Sequence, residues 1–154
     1  MSKLKKRVGI FSFTCDEGCS IYLIEIFNKK LLEWLEKMEL VYFLSVKDYK
    51  EFKNLDIAIV EGSISTERDK REIEDIRKKA KVLIGMGSCT ITGLPSCQRN
   101  SFNVAQLKQI EPDMARFKFL PKCLAVKEVV KLDDEVAGCP MEEGKFVEIF
   151  EKYL

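Results

Sequence analysis

Near its N-terminus the chain reads Val8-Gly9-Ile10-Phe11-Ser12-Phe13-Thr14-Cys15-Asp16-Glu17-Gly18-Cys19 and then continues into a long amphipathic segment. The run from Arg7 to Phe13 is mostly apolar, which is typical of a strand buried on both faces of a sheet. From Ser20 to Met38 the apolar residues recur at steps of three and four, which predicts a helix. We therefore expect an α/β fold in which this first strand lies centrally and the cysteines lie in the loop behind it.

The rest of the chain alternates in the same way. Further strands are predicted at Leu40–Val46, Leu55–Val60, Val82–Gly87 and Val126–Leu132, and further helices at Thr66–Ala80, Val104–Ile110 and Met141–Tyr153, with a helical turn near residues 47–50. Alternating strands and helices call for a parallel sheet covered on both faces, joined by right-handed crossovers. We predict one flavodoxin-like doubly wound domain over residues 1–154, with no second ferredoxin-like domain.

Composition narrows the classes of partner. The 154 residues are 46% hydrophobic, and 26 basic residues balance 25 acidic ones to a net charge of +1. A near-neutral chain has no long-range field that attracts nucleic acid or an anionic membrane. The apolar run behind the basic start is short, so we expect neither a signal peptide nor membrane insertion, and a cytoplasmic location. In that compartment cysteines serve as metal ligands, redox groups or buried residues more often than in disulfides.

The chain has six cysteines and no histidine, which excludes mixed Cys/His zinc patterns. Four of the cysteines lie at the ends of predicted elements, among glycines: Cys15, Cys19, Cys89 and Cys139. Loops after parallel strands gather at the carboxyl edge of the sheet, so we expect these four thiolates to meet there. Gly18, Gly87 and Gly138 are expected to let backbone amides approach the sulfur atoms. Cys97 and Cys123 are interpreted as ordinary buried cysteines.

Four converging thiolates suit either an iron-sulfur cluster or an all-cysteine zinc site that shapes an interface. Zinc ribbons usually have two paired knuckles, whereas this chain has one pair and two single cysteines, which favours the cluster. A thiol redox protein that uses Cys15 and Cys19 is a third hypothesis, although three residues separate them. The fold could also hold a flavin, but the loop after the first strand lacks a phosphate cradle.

The ordered set of motifs resembles the small subunit of nickel-iron hydrogenases. The set comprises the cysteine pair after the first strand, Glu61-Gly62, Gly87-Ser88-Cys89-Thr90-Ile91-Thr92-Gly93-Leu94-Pro95 and Gly138-Cys139-Pro140. It is most similar to cytoplasmic archaeal forms such as the gamma subunit of the F420-reducing hydrogenase, and more distantly to the 20 kDa subunit of NADH:ubiquinone oxidoreductase. The resemblance covers nearly the whole chain.

This resemblance implies that Cys15, Cys19, Cys89 and Cys139 hold one proximal [4Fe-4S] cluster. The chain would then be an electron-transfer subunit of an oxidoreductase complex, without an active site of its own. Its partners would be a large subunit that carries the nickel-iron centre and a further electron-carrier subunit. The resemblance also makes Glu61 a candidate for lining the site. Glu17 lies in the ligand loop, where a solvated helix N-terminus is the simpler interpretation.

The sequence departs from the family at two points. The family's first pair usually has two residues between its cysteines, whereas three separate Cys15 from Cys19, so Cys97 or Cys123 is the reserve ligand. The family's common small subunits also continue into a second domain with further clusters. A relay with one cluster is therefore implied for this chain.

Overall fold

The computed structural model describes residues 4–43 and 53–154. Its strands are Lys6–Ser12 (β1), Met38–Phe43 (β2), Leu55–Glu61 (β3), Ile64–Thr66 (β4), Ala80–Met86 (β5), Phe119–Leu124 (β6) and Asp134–Val136 (β7). Its helices are Gly18–Lys37 (α1), Glu67–Lys79 (α2), Ser88–Thr92 (α3), Val104–Arg116 (α4), Val126–Val129 (α5) and Glu143–Tyr153 (α6), and a short 3-10 helix spans Ser96–Ser101. The end of the second predicted strand, residues 44–46, and the predicted turn at 47–50 lie outside the described residues.

Five strands form a parallel sheet in the order β2-β1-β3-β5-β7, so β1 is central as expected. Numbered within the sheet alone, this order is 2-1-3-4-5, that of flavodoxin-like folds. The predicted fold class is confirmed. The two remaining strands, β4 and β6, pair antiparallel in a separate ribbon.

The two faces of the sheet carry separate hydrophobic cores. In β3, Ile57 and Ile59 pack in the core that contains residues of α1 and α6, while Ala58 and Val60 pack in the core that contains residues of α2. This alternation follows from the two-residue period of a strand. Because helices cover both faces of the sheet, the loops at the ends of the strands are where a site can form.

The predicted strand at Val126–Leu132 is wrong, because residues 126–129 form helix α5. Val126 is fully buried, and the Val130 N–H donates to the Val126 carbonyl at 3.0 Å in the helical i to i+4 pattern. A short apolar run does not distinguish a strand from a buried helical turn. The strand beside β5 is instead β7, whose sequence Asp134-Glu135-Val136 gives no apolar run.

Helix α4 is six residues longer than the predicted segment and ends at Arg116 rather than Ile110. Between Ile110 and Pro121 the chain forms the rest of α4 and the start of β6. Within residues 4–43 and 53–154, no helix combines the length and apolar character needed to cross a membrane.

Candidate four-cysteine site

The four cysteines singled out in the sequence lie around one cavity at the carboxyl edge of the parallel sheet. Cys15 follows β1, Cys19 lies in the first turn of α1, Cys89 lies in the first turn of α3, and Cys139 follows β7. Cys19 is buried, Cys15 and Cys89 are half-buried, and Cys139 is exposed. The predicted convergence is therefore present, with Cys139 on the solvent side.

Gly87 leaves space for two of these sulfur atoms close to its own backbone. A Cβ atom at this position would lie 2.8 Å from Cys19 Sγ and 3.3 Å from Cys89 Sγ. Gly87 also has φ +87°, a conformation that side-chain-bearing residues rarely adopt. Both the backbone conformation and the available space therefore require glycine here.

A network of short hydrogen bonds joins the Cys89 and Cys139 loops. The Gly87 N–H donates to the Val136 carbonyl at 2.7 Å, and the Ser88 N–H donates to the Gly138 carbonyl at 2.8 Å. The Gly138 N–H in turn donates to Ser88 Oγ at 3.0 Å. These contacts hold Cys139 beside Cys89, although 50 residues separate them in the chain.

Backbone amides do point at three of the sulfur atoms, but none belongs to the predicted glycines. The N–H groups of Glu17, Gly62 and Met141 donate to the sulfur atoms of Cys15, Cys89 and Cys19 at 3.3, 3.2 and 3.3 Å. The Gly18 N–H donates instead to Asp16 Oδ1 at 3.0 Å, and the Gly87 and Gly138 amides are used in joining the loops. The amides of these three glycines each have a nearer oxygen acceptor, so any contribution of the glycines to the N–H···S contacts comes from the space they leave.

Glu61, the last residue of β3, lines the cavity and is 1% exposed. Its Oε1 accepts a hydrogen bond from the Cys19 N–H at 2.8 Å, and its Oε2 accepts from the Ser20 N–H at 2.9 Å and from Ser20 Oγ. A carboxylate at a helix N-terminus is favoured both by the free N–H groups and by the helix dipole. Glu61 thus fixes the first turn of α1, which carries Cys19, against β3.

The interpretation of Glu17 as a solvated residue agrees with its exposed side chain. The backbone of Glu17, which immediately precedes α1, is in the left-handed region with φ +59°. This left-handed conformation accompanies the N–H···S contact with Cys15. Asp16 is also exposed but lines the cavity.

Burial raises the pKa of three thiols in this site, those of Cys15, Cys19 and Cys89. The pKa of Cys19 is raised to about 12 and that of Cys89 to about 11, mainly by burial, and the nearby Glu61 carboxylate contributes in the same direction. Burial also raises the pKa of Cys15. A reactive dithiol needs a lowered pKa so that thiolate is available at neutral pH. The thiol redox hypothesis is therefore disfavoured by the electrostatics of the site.

The spacing of the four side chains bears on the kind of metal centre. Across the described parts of the chain, no three Cys, Asp or Glu side chains converge closely enough to ligate one ion. A tetrahedral Zn²⁺ with Zn–S bonds near 2.3 Å needs its sulfur atoms only about 3.8 Å apart. A polynuclear cluster binds through separate iron atoms and so accepts more widely spaced thiolates. The described side chains thus do not form a site for a single zinc ion, while four thiols are the donor set of a cysteine-ligated cluster.

Cys97 and Cys123 are 8% and 1% exposed, as expected for buried cysteines, and neither lines the cavity. Cys123 Sγ lies 3.3 Å from Ser65 Oγ and donates a hydrogen bond to Ser63 Oγ at 3.4 Å. Burial, followed by a hydrogen bond with Cys123, raises the pKa of Cys97 to about 12. Neither Cys97 nor Cys123 therefore lies at the four-cysteine site.

Sequence reasoning missed several residues of the site. Ser12 Oγ lies 3.2 Å from Cys15 Sγ, and Pro95 and Ser96 line the cavity. The Met141 and Gly62 amides were also missed, because a backbone donor leaves no signal in residue identity. Pro95 could have been found, since it ends the Gly87–Pro95 motif that contains Cys89.

The family model described as NADH ubiquinone oxidoreductase, 20 Kd subunit, matches residues 15–153, which include all four site cysteines. The chain belongs to this family. The match runs through every motif on which the sequence resemblance depended.

The relatives of this family member include hydrogenase subunits. The chain is 33% identical to a subunit of the F420-non-reducing hydrogenase vhu from Methanococcus voltae, a match that covers 88% of this chain and 52% of the relative. It is 28% identical to the delta subunit of sulfhydrogenase 2 from Pyrococcus furiosus, over 93% of this chain and 60% of the relative. The chain thus spans little more than half the length of these relatives. The resemblance to hydrogenase small subunits is confirmed.

A solved structure confirms the fold over nearly the whole chain. A chain in the crystal structure of NAD+-reducing [NiFe]-hydrogenase in the H2-reduced state superposes with a TM-score of 0.83. The match covers 97% of this chain and 92% of that chain, at 24% sequence identity. This match shows that the two chains share the fold.

Proposed function

We propose that this chain is an electron-transfer small subunit of a nickel-iron hydrogenase-like oxidoreductase complex. Cys15, Cys19, Cys89 and Cys139 hold one proximal [4Fe-4S] cluster at the carboxyl edge of the sheet. The observation that carries the proposal is the convergence of these four thiols around one cavity. The family membership and the hydrogenase relatives support it.

One-electron transfer is the chemistry that such a cluster supplies when bound, while the chain's own residues hold and tune it. The amides of Glu17, Gly62 and Met141 donate to the cysteine sulfur atoms. Such hydrogen bonds stabilise negative charge on thiolates and are one determinant of reduction potential. Burial of Cys19 excludes water from the inner side of the site.

Glu61 acts as a positioning residue in this proposal. Its two carboxylate oxygens bind the first turn of α1, so the position of Cys19 depends on β3. The Met141 N–H, from near the opposite end of the chain, donates to the sulfur atom of Cys19. Cys19 is thereby held by two elements that are distant in sequence.

The exposed position of Cys139 indicates which side of the site a partner covers. A cluster at an open edge requires protection from water and oxygen, and a large subunit placed over Cys139 would provide it. In the proposed complex that subunit contains the nickel-iron centre, and a further subunit carries electrons to or from it.

Metal and sulfide analysis tests the cluster directly. The full chain, purified anaerobically and reconstituted with iron and sulfide, is expected to hold about four irons and four sulfides and to absorb visible light. Serine in place of Cys15, Cys19, Cys89 or Cys139 should lower the iron and sulfide content. The matched control is Cys97→Ser, which changes a buried thiol outside the cavity and should leave both contents unchanged.

Two outcomes would contradict this proposal. Zinc without sulfide would support a four-cysteine interaction module in a complex that is not a hydrogenase. Loss of iron in Cys97→Ser, with no loss in Cys15→Ser, would show that Cys97 rather than Cys15 is a ligand. That result would overturn the assigned set of four cysteines. Co-purification of the tagged chain with a large subunit, detected by mass spectrometry, tests the partner separately.

A further inference from the structure

Ser12, the last residue of β1, places its hydroxyl against one of the four site cysteines. Ser12 Oγ lies 3.2 Å from Cys15 Sγ. The Cys15 thiol donates to the Phe13 carbonyl at 3.6 Å, which directs the S–H proton away from Ser12. When a cysteine binds iron it does so as a thiolate, which has no proton to donate. Ser12 is therefore the donor of this hydrogen bond in both states of Cys15.

The Cys15 sulfur atom accepts from a residue on either side of it in the sequence. The Glu17 N–H donates to it at 3.3 Å, in addition to the Ser12 hydroxyl. A backbone N–H is present in every residue except proline, so ordinary substitutions do not remove the contact from Glu17. The serine hydroxyl, in contrast, is lost in a single substitution to alanine. Ser12 is thus a position where the hydrogen bonding of a site sulfur can be changed while the backbone donor is kept.

Hydrogen bonds to the end of β3 fix the segment that carries this hydroxyl. Ser12 pairs with Glu61 in the parallel sheet, and the Phe13 N–H donates to the Glu61 carbonyl at 2.9 Å. The Thr14 N–H donates to the Ser63 carbonyl at 3.1 Å, and the Ser63 N–H donates to the Thr14 carbonyl at 2.9 Å. The end of β1 and the loop behind it are therefore held in one arrangement, so folding alone positions the hydroxyl.

Ser12 also has space beside it. It lines a second cavity of about 350 Å³, together with Thr14, Tyr42 and Thr66, and it does not line the four-cysteine cavity. This space accommodates one additional methyl group, and threonine is among the residues that strands favour. Position 12 therefore accepts a conservative variant, Ser12→Thr, that keeps the hydroxyl.

We propose that the Ser12 hydroxyl raises the reduction potential of the [4Fe-4S] cluster through its hydrogen bond to Cys15 Sγ. This inference rests on the proposed function, because it takes Cys15 as a ligand. Hydrogen bonds to the ligand sulfur atoms are one determinant of a cluster's potential. The reduced cluster carries one more negative charge than the oxidised cluster, so a donor stabilises the reduced cluster more. Ser12 does not bind iron and acts as a positioning residue through Cys15.

A redox titration of the full chain, reconstituted with iron and sulfide, tests the role of the hydroxyl. The electron paramagnetic resonance signal of the reduced cluster is followed against the applied potential in the native chain and in Ser12→Ala. At the native midpoint potential, Ser12→Ala should hold about three oxidised clusters for each reduced one. This is a negative shift of about 30 mV, at about 59 mV per tenfold change for a one-electron couple. Ser12→Thr keeps the hydroxyl and should have the native potential.

Ser65→Ala is the matched control, because Ser65 Oγ lies 3.3 Å from Cys123 Sγ. The control removes the same kind of contact between a serine and a cysteine, but Cys123 does not line the four-cysteine cavity. The potential of Ser65→Ala should therefore equal that of the native chain. A negative shift as large as that in Ser12→Ala would overturn the proposal, since the effect would not depend on contact with a ligand sulfur.

Iron and sulfide analysis of the same samples separates failure of this inference from failure of the proposed function. A native chain that takes up no iron and sulfide would overturn both. A native chain with a full cluster, and an unchanged or higher potential in Ser12→Ala, would overturn only the role of Ser12. If Ser12→Ala binds no cluster, Ser12→Thr decides: native cluster content and potential would support the hydroxyl, whereas loss of the cluster in both variants would overturn its role.

Discussion

At Gly87 the backbone conformation and the available space both require glycine. A methyl group at this position would lie 2.8 Å from Cys19 Sγ, and φ +87° is unfavourable for any residue with a Cβ atom. Gly138 has φ +117°, and a Cβ there would lie 2.5 Å from the Pro140 carbonyl oxygen. The glycines beside the cysteines therefore matter through the space they leave rather than through their own N–H groups.

Gly87→Ala is expected to lower the free energy of unfolding by about 1–2 kcal/mol from backbone strain alone, with more from the clash at Cys19. It should also lower the iron bound after reconstitution, because the clash moves Cys19 or Cys89. Urea unfolding and iron analysis measure the two effects.

Gly144→Ala is the matched control for this substitution. Gly144 lies in α6, and within 4 Å an added Cβ would meet only the Glu142 side chain, at 3.1 Å from Oε1. Alanine is the better helix former, so this variant should be neutral or slightly stabilised. Iron contents that fall equally in the two variants would contradict the steric explanation for Gly87.

At the scale of elements, α2 and α4 begin in the same way but differ in their packing. Both have a complete capping box, and both have 13 residues. Helix α2 buries Ile73 and Ile76, whereas α4 buries nothing. The capping boxes thus fix where both helices begin, while among the described residues only α2 contributes side chains to a hydrophobic core.

Thr66→Ala is expected to destabilise the protein by about 1 kcal/mol, because it removes the hydroxyl that accepts from the Asp69 N–H at 3.0 Å. Thr66→Ser keeps the hydroxyl and should recover most of the loss. The midpoint of urea unfolding, with an unchanged m-value, measures both variants. A serine variant as unstable as the alanine variant would show that the methyl group, not the cap, is responsible.

At the scale of the whole molecule, the last helix is attached to the last strand by charged hydrogen bonds. Asp134 of β7 accepts from Tyr153 Oη at 2.6 Å and from Lys152 Nζ at 2.9 Å. These two hydrogen bonds lower the pKa of Asp134, and the one from Tyr153 has the larger effect. They join α6 to the strand that precedes Cys139.

Asp134→Asn should therefore cost up to about 1 kcal/mol at neutral pH. Because the folded-state pKa of Asp134 is lowered, its contribution is complete above the unfolded-state value of about 4 and is lost as the pH falls through the folded-state pKa. Urea unfolding of the native chain and the variant from pH 7 to pH 3 should show their difference shrinking below about pH 4. A difference that stays constant over this range would rule out an electrostatic origin.

The order of apolar runs, caps and glycine-flanked cysteines was enough to predict the parallel α/β fold and the four residues that meet at its edge. This succeeded because buried parallel strands are continuously apolar and because the loops after them share one edge of the sheet. The prediction failed at Val126–Val129, where an apolar run forms a helical turn. It also failed at β7, which is charged but pairs with β5.

Only the tertiary structure decided which atoms surround each sulfur. The N–H groups of Gly62 and Met141 reach Cys89 and Cys19 across 27 and 122 residues of sequence, and nothing in the identity of either residue marks it as a donor. The same holds for the packing of α4, since apolar periodicity predicts a helix but does not say that none of its residues is buried by the described parts of the chain. Local sequence determined the elements and the cysteines by itself, because those depend on nearby residues. The sulfur environments and the packing of α4 depend on contacts between distant segments, which exist only after the chain has folded.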